Sequence, residues 1–312
     1  MGEKMMPKLI VLYGPWSNQH NGKQQMMIDG KCTCGYRDYA KAFGEIIYLS
    51  PQNVKLSWEK SMVNPDNIIK YVNSQPDAIV WVVKHDPNRD SKIVKRIKNK
   101  KLYYSCNAVN CTNKYCDVSL VDTPERAKKC GGNAKVFFKG KDQNFWLPNG
   151  GEKEYDYLLM GRRADKNELY FLKTLNIVDE RRRILWIGGD KHKDKISTKH
   201  NCVTTPFSGP IEVKELIPKA KIGILMTEHP AEGFPQSFLE MTMCGLPVLY
   251  TNTAPANEFY FKEGVNCKFS PKKAMAIRAE ELLAGYNPEA CREFAVNNYS
   301  LEASYNKMVS LL

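Results

Sequence analysis

The chain has 312 residues, enough for two domains of ordinary size or one large one. A hydrophobic content of 43% with 11% aromatics excludes a disordered chain, and no apolar run reaches the eighteen or so residues of a membrane-spanning helix. The net charge of +12 leaves three readings for its basic surface: a solvated face, a patch for an anionic lipid or acidic acceptor, or a nucleic-acid site.

The densest basic run, KIVKRIKNKK at 92–101, reads as a helix with Ile93 and Ile97 turned inward. Aromatics are not interleaved with its lysines, so nucleic acid is not expected as a partner, while peripheral association with an anionic membrane stays open. The N-terminal apolar stretch 9–13 is too short for the core of a signal peptide, and Met6 breaks a myristoylation motif begun by Met1-Gly2. A cytoplasmic protein is expected. Its ten cysteines then read as reduced thiols. Cys32, Cys34, Cys106, Cys111 and Cys116 lack the paired C-x2-C knuckles of a zinc site, so no metal is expected.

In chain order, 9–13 (LIVLY) is a buried strand ended by Gly14-Pro15, and a polar loop with Asn21-Gly22-Lys23 and Gly30 follows. Residues 35–43 read as a short amphipathic helix, 45–49 as a strand and 65–73 as a helix. The apolar run 77–83 enters Lys84-His85-Asp86-Pro87, which sets His85 just past a strand's carboxyl end. Strands follow at 102–105, 117–121 and 135–138, with a helix opened by Asp122 or Thr123 as cap and Pro124 at its first position. Strand and helix alternate over 8–146, the pattern of a Rossmann-like half.

Leu147-Pro148-Asn149-Gly150-Gly151 has linker composition, after which the alternation restarts. Residues 155–160 read as a strand, and Gly161-Arg162-Arg163-Ala-Asp-Lys166 as a cationic turn into a helix at 167–175. Bidentate Arg with a point-charge Lys suits a diphosphate; a charged surface turn is the plain alternative. Residues 183–187 form a strand before Gly188-Gly189, and 202–206 lead through Gly209-Pro-Ile211 to a helix at 212–217.

The stretch 222–251 organises the rest. An apolar strand at 222–226 leads through a loop to a helix with Pro235 at its first position, stopped by Gly245 and Pro247, and a second apolar strand follows. The loop therefore leaves the carboxyl end of a strand, where open α/β sheets bind ligands, and the helix start is a ready phosphate site. Glu232 lies in the loop and Glu240 in the second helical turn, leaning toward the helix start. On spacing alone the pair also reads as two solvated acids. Helices at 275–283, 288–297 and 301–312 close the chain.

Glu232-Gly-Phe-Pro-Gln-Ser-Phe-Leu-Glu240, followed by Met-Thr-Met-Cys-Gly-Leu-Pro-Val248, resembles the E-x7-E signature of retaining GT-B glycosyltransferases of the family 4 type, the glycosyl transferases group 1. Gly161-Arg162-Arg163 with Lys166 is similar to the family's G-R-x4-K, one residue shorter, which leaves Arg162 and Arg163 as alternative ligands. The resemblance implies a GT-B fold: two Rossmann-like doubly wound α/β domains facing a cleft. The implied parts are an acceptor-side domain at 1–148, a nucleotide-sugar domain at 149–296, and a C-terminal helix at 297–312 crossing back.

It further implies transfer of a sugar, with retention and without a metal, from a nucleoside-diphosphate sugar (UDP- or GDP-sugar) to a hydroxyl acceptor, glycan or lipid-linked, in glycan biosynthesis. No permanently bound cofactor is implied. Glu232 would orient the sugar, and His85 would contact it from the other domain. Arg162 or Arg163, Lys166, and the loop and helix start at Gly233, Phe234, Pro235 and Gln236 would hold the diphosphate. Glu240 would hold the ribose, Ile211 would frame the base through its backbone, and Gly188 and Gly22 (or Gly30) would line the donor. Two rivals are a GT-B epimerase or phosphorylase-like enzyme, and a non-catalytic module binding sugar nucleotides or polyanions.

Overall fold

The computed structural model describes residues 6–14, 27–28, 31–32, 35–49, 54, 56–83, 87–104, 114–161, 168–175, 181–196, 201–206, 209–225, 235–251 and 261–312. The chain divides into two compact units, Met1–Lys139 with Ser304–Leu312, and Gly140–Ala303.

The first unit runs β1 (Leu9–Tyr13), β2 (Met27–Ile28), β3 (Lys31–Cys32), α1 (Tyr36–Phe43), β4 (Gly44–Tyr48), β5 (Glu59–Ser61), α2 (Pro65–Asn73) and β6 (Ile79–Val83). It continues through α3 (Pro87–Val94), β7 (Lys101–Tyr104), β8 (Val118–Val121), α4 (Pro124–Cys130) and β9 (Ala134–Val136). β2 and β3 pair as a small antiparallel hairpin; the other strands form one parallel sheet in the order β5-β4-β1-β6-β7-β8-β9. Counted among the sheet's own strands this is 3-2-1-4-5-6 with a seventh strand added, the dinucleotide-binding order and one more. β1 and β6 are buried along their whole length, as a parallel strand covered on both faces must be.

Local chemistry sets the helix starts. Asn64 accepts from the backbone N–H of Asp66 (2.9 Å) and Asn67 (3.2 Å), with Pro65 at the first position of α2. Thr123, rather than Asp122, caps α4 by accepting from Arg126 N. The basic run departs from expectation: α3 starts at Pro87 and stops at Val94. Asn73 ends it, taking Lys98 N–H (2.9 Å) and donating to Arg96 O (3.2 Å), so the backbone beyond Val94 is satisfied without a helix. Ile93 and Ile97 are nevertheless buried.

An aromatic cluster fills one face of this unit, with Trp81 edge-on to Tyr36 (5.0 Å), Tyr39 (5.2 Å) and Phe137 (5.9 Å). Tyr39 donates to Ser304 Oγ (2.6 Å), Ser304 donates to Phe138 O (2.5 Å), and Tyr305 stacks on Phe43 at 4.2 Å, which fastens the C-terminal residues 304–312. Glu45 is buried. Burial alone would raise its carboxyl, but Lys60 (2.5 Å), Lys8 (3.0 Å) and Tyr71 (2.8 Å) outweigh it and hold the group below the usual carboxylate range.

The second unit runs β10 (Tyr155–Met160), α5 (Glu168–Leu175), β11 (Ile184–Ile187), β12 (Cys202–Thr205), α6 (Pro210–Leu216), β13 (Ala220–Leu225), α7 (Gln236–Met243), β14 (Val248–Thr251) and β15 (Cys267–Ser270). α8 (Met275–Ala284), α9 (Pro288–Tyr299) and the first turn of α10 (Leu301–Ser310) follow. All six strands are parallel, in the order β12-β11-β10-β13-β14-β15, again 3-2-1-4-5-6 when counted within the sheet. Trp186, Phe171, Ile222, Ile224, Leu249 and Met275 form its core beneath α5 and α8.

Cys116, Cys202, Cys244, Cys267 and Cys291 are free thiols, and burial pushes the first three up to about 12, far from a reactive thiolate. Cys130 corrects the expectation of free thiols throughout, because it is disulfide-bonded. Among the described residues no cluster of three His, Cys, Asp or Glu could hold a metal, and no helix is long and apolar enough to cross a membrane.

Candidate functional site

The order of the second sheet reverses between β10 and β13, which lie side by side with Leu159 opposite Ile224. At such a point the connections depart to opposite faces and leave a crevice outside the carboxyl ends of the strands. The segment 161–167 follows β10 and the segment 226–234 follows β13, so the two stretches with the strongest chemistry both leave this edge. Arg162, Arg163, Lys166, Glu232, Gly233 and Phe234 themselves lie outside the described residues. In the first unit β1 and β6 make the equivalent pair, Tyr13 opposite Val83. Gly22 and Gly30 follow β1 and His85 follows β6; these too lie outside the described residues.

Of the expected residues, Gly188, Ile211, Pro235, Gln236 and Glu240 are described in the second unit. Gly188 follows β11 with φ of 86° and donates to Thr205 O (2.8 Å), a left-handed turn that favours glycine. Gly189 allows a close approach: a Cβ there would stand 2.4 Å from the Trp186 ring. That ring reaches across the sheet to donate to Gly161 O (3.3 Å), and His192 stacks on it at 5.4 Å. Trp186 thus ties the end of β11 to the start of the cationic segment. Ile211 departs from the expected loop position, since α6 already begins at Pro210 and places it in the first helical turn, exposed.

α7 is seated with little freedom. Gly223 of β13 lets it approach closely, because a Cβ there would meet Met241 Sδ at 2.4 Å. Phe238, Leu239, Met241 and Met243 are fully buried. Pro235 stands one position before the expected one, as the cap residue with φ of −69° and ψ of 125°, and Gln236 is the first helical residue. At the other end Gly245 (φ 79°) closes a Schellman turn, in which Leu246 N–H donates to Met241 O and Gly245 N–H to Thr242 O, both at 3.0 Å. Arg292 of α9 caps the last turn at Met243 O and also donates to Trp146 O (2.9 Å) and Gln143 O (3.1 Å). The body of α7 is therefore fixed against β13, β14 and α9, with its start following the loop that leaves β13.

Glu240 occupies the second turn of α7 and is almost buried. Its Oε1 accepts from Lys141 Nζ at 2.6 Å, the two side chains being 13% and 12% exposed. Lys141 was not legible in the sequence: it sits 99 residues away, outside any motif.

Residues 154–284 match the family model described as Glycosyl transferases group 1, a span inside the second unit. No curated protein matches by sequence. Among solved structures, a glycosyltransferase from Rickettsia africae ESF-5 is similar over 98% of this chain and 97% of its own, with 15% identity and a TM-score of 0.66. Anabaena Alr3699/HepE in complex with UDP and glucose is similar over 98% and 99%, with 10% identity and a TM-score of 0.66. A sucrose-phosphate synthase from Thermosynechococcus elongatus is similar over 98% of both chains, with 11% identity and a TM-score of 0.64. At these identities the likeness is one of fold. The chain has a GT-B fold built of two Rossmann-like units, as the resemblance implies.

Proposed function

We propose that this protein is a retaining, metal-independent glycosyltransferase of the family 4 type, moving a sugar from a nucleoside-diphosphate sugar to a hydroxyl acceptor. The observation that carries the reading is the pairing of β10 with β13 at the order reversal, inside the span that matches the family model. It brings the origin of the cationic segment and the origin of the loop before α7 to one edge of one sheet. The solved complexes of HepE with UDP and with UDP-glucose make a UDP-sugar the first donor to test, with GDP-sugars beside it.

In the proposed reaction the bond between the anomeric carbon and the diphosphate oxygen breaks, and a bond to the acceptor oxygen forms on the same face. The acceptor proton passes to the departing diphosphate. The charge that grows on that diphosphate is met by Lys166, by Arg162 or Arg163, and by the backbone N–H groups at the start of α7 from Gln236 on, an electrostatic stabilisation of the departing group. Because cations of the chain do this work, a divalent metal has no assigned role. Glu232 orients the sugar hydroxyls, Glu240 holds the ribose, and His85 contacts the transferred sugar. Gly188, Gly233 and Phe234 line the donor, Ile211 meets the base through its backbone, and Gly22 borders the phosphates.

The test is a panel of UDP-, GDP- and ADP-sugars with simple hydroxyl acceptors, read by product mass and by NMR of the new anomeric linkage, with and without EDTA. Transfer with retained configuration that survives EDTA is the expected result. An isomerised or phosphorolysed donor, an inverted linkage, or loss of transfer on chelation would each contradict a named part of the reading.

A further inference from the structure

The ion pair between Lys141 and Glu240 is built as a support. Lys141 has its backbone clamped where α9 meets α10: its N–H donates to Tyr299 O (2.9 Å), and its carbonyl accepts from Leu301 N–H (3.1 Å). Its ammonium lies 5.6 Å from the centre of the Trp146 ring, and Trp146 is in turn held by Arg292. The cation therefore stands on fixed backbone.

A carboxylate as enclosed as Glu240 loses much of its hydration, a cost that a counter-charge offsets. Lys141 supplies that charge at 2.6 Å and occupies Oε1. Among the described residues no hydrogen bond engages Oε2. An ionised carboxylate accepts only, so what Oε2 binds must be a donor. Glu240 is four residues past the first residue of α7, about 6 Å along the axis, and its side chain leans back toward that start. A diphosphate at the helix start would set the vicinal hydroxyls of its own ribose over this turn.

We infer that Lys141 is a positioning residue for nucleotide recognition: by holding Oε1 of Glu240 it fixes the carboxylate and turns Oε2 to the ribose hydroxyls. The inference rests on the nucleotide-sugar reading and goes beyond it, because that reading gives Lys141 no role. Its signature is confined to the hydroxyls. Calorimetric titration of UDP and GDP, and of their analogues lacking the 2′- and 3′-hydroxyls, separates this role from simple support of the fold.

The unsubstituted protein is expected to prefer the ribonucleotide by about tenfold or more, as for a hydrogen bond to a charged group. Lys141→Met and Glu240→Gln should each abolish most of that preference and leave the affinity for the deoxy analogue unchanged. Lys141→Arg should retain it, and in turnover the loss should fall on the donor KM more than on kcat. The double variant Lys141→Met with Glu240→Gln removes both charges together, so it reads the same quantity if the single lysine variant does not fold. Equal weakening of ribo- and deoxy-nucleotides, or a preference that survives Lys141→Met, overturns the inference alone. Failure of the unsubstituted protein to bind any nucleoside diphosphate overturns it together with the reading beneath it.

Discussion

The two units lay out the same 3-2-1-4-5-6 order with different sequences, and only the second carries the dense motif. In the second, a strand, a loop and a helix start follow in twenty or so residues of recognisable spacing, over a core in which Trp186, Phe171 and Tyr157 lie among aliphatic side chains. In the first, the equivalent edge follows β1 and β6, an aliphatic core that includes Ile10, Leu12, Val80 and Val82 is joined by an aromatic cluster around Trp81, and a seventh strand is added. One backbone plan is thus met by two packing solutions. The difference teaches that a parallel sheet constrains burial and strand order, while the identity of the edge residues is free to follow chemistry.

Substitutions at the two edges sharpen that contrast. Lys166→Ala in the second unit should lower turnover by roughly a thousandfold with the circular dichroism spectrum unchanged, the size of losing a preorganised charge contact. His85→Ala in the first should cost less, roughly ten- to a hundredfold, as expected of a group that orients the sugar. Equal losses would erase the functional asymmetry between the units.

Close approaches compare the two scaffolds. A Cβ at Gly44 would lie 1.9 Å from the Leu9 carbonyl oxygen, an obstacle of backbone, whereas one at Gly189 meets the Trp186 ring at 2.4 Å. Gly44→Ala should destabilise the first unit by about 3 kcal/mol or more, and Gly189→Ala the second by about 1–2 kcal/mol, read from denaturant midpoints. A smaller effect at Gly44 than at Gly189 would reverse the ranking.

Each unit also buries an acid near its first strand. Burial would raise Asp156, but Lys221 (2.9 Å) and the Arg183 N–H (3.0 Å) hold it below the usual range, as Glu45 is held in the first unit. A carboxyl lowered in the folded state contributes stability that is fully present above its unfolded value and is lost as pH falls through the folded one. Both units should therefore lose stability on acidification below the ordinary carboxylate range. Glu45→Gln should flatten that loss in the first unit only, and Asp156→Asn in the second only. Urea midpoints between neutral pH and about pH 3 read this. The smallest effect is expected at Ile211, exposed in the first turn of α6: Ile211→Ala should change stability by less than about 0.5 kcal/mol.

Much of the fold is legible in the chain because apolar runs and caps speak locally. The strands at 9–13 and 155–160 and the helix at 65–73 coincide with β1, β10 and α2, where run length, Pro65 and Asn64 agree. β5 and β15 were missed. Glu59-Lys60-Ser61 has no apolar run, and it pairs at the sheet edge with Glu59 satisfied by Arg37 (2.8 Å), a contact no local pattern announces. Cys267–Ser270 alternates too briefly to stand apart from its loop. The basic run misled because the end of α3 is written in Asn73, more than twenty residues upstream. At the candidate site, motif spacing singles out Gly188, Pro235 and Glu240, whereas Lys141, Trp186 and Arg292 act through distant partners that no motif announces.

The most direct test of the central claim is hydrogen–deuterium exchange with saturating UDP and, in parallel, GDP. The account predicts slowed exchange in peptides covering 161–168 and 235–241 together, the two stretches that leave β10 and β13. Nucleotide binding that protects only one of them, or protects segments away from the carboxyl edge of the second sheet, would contradict it.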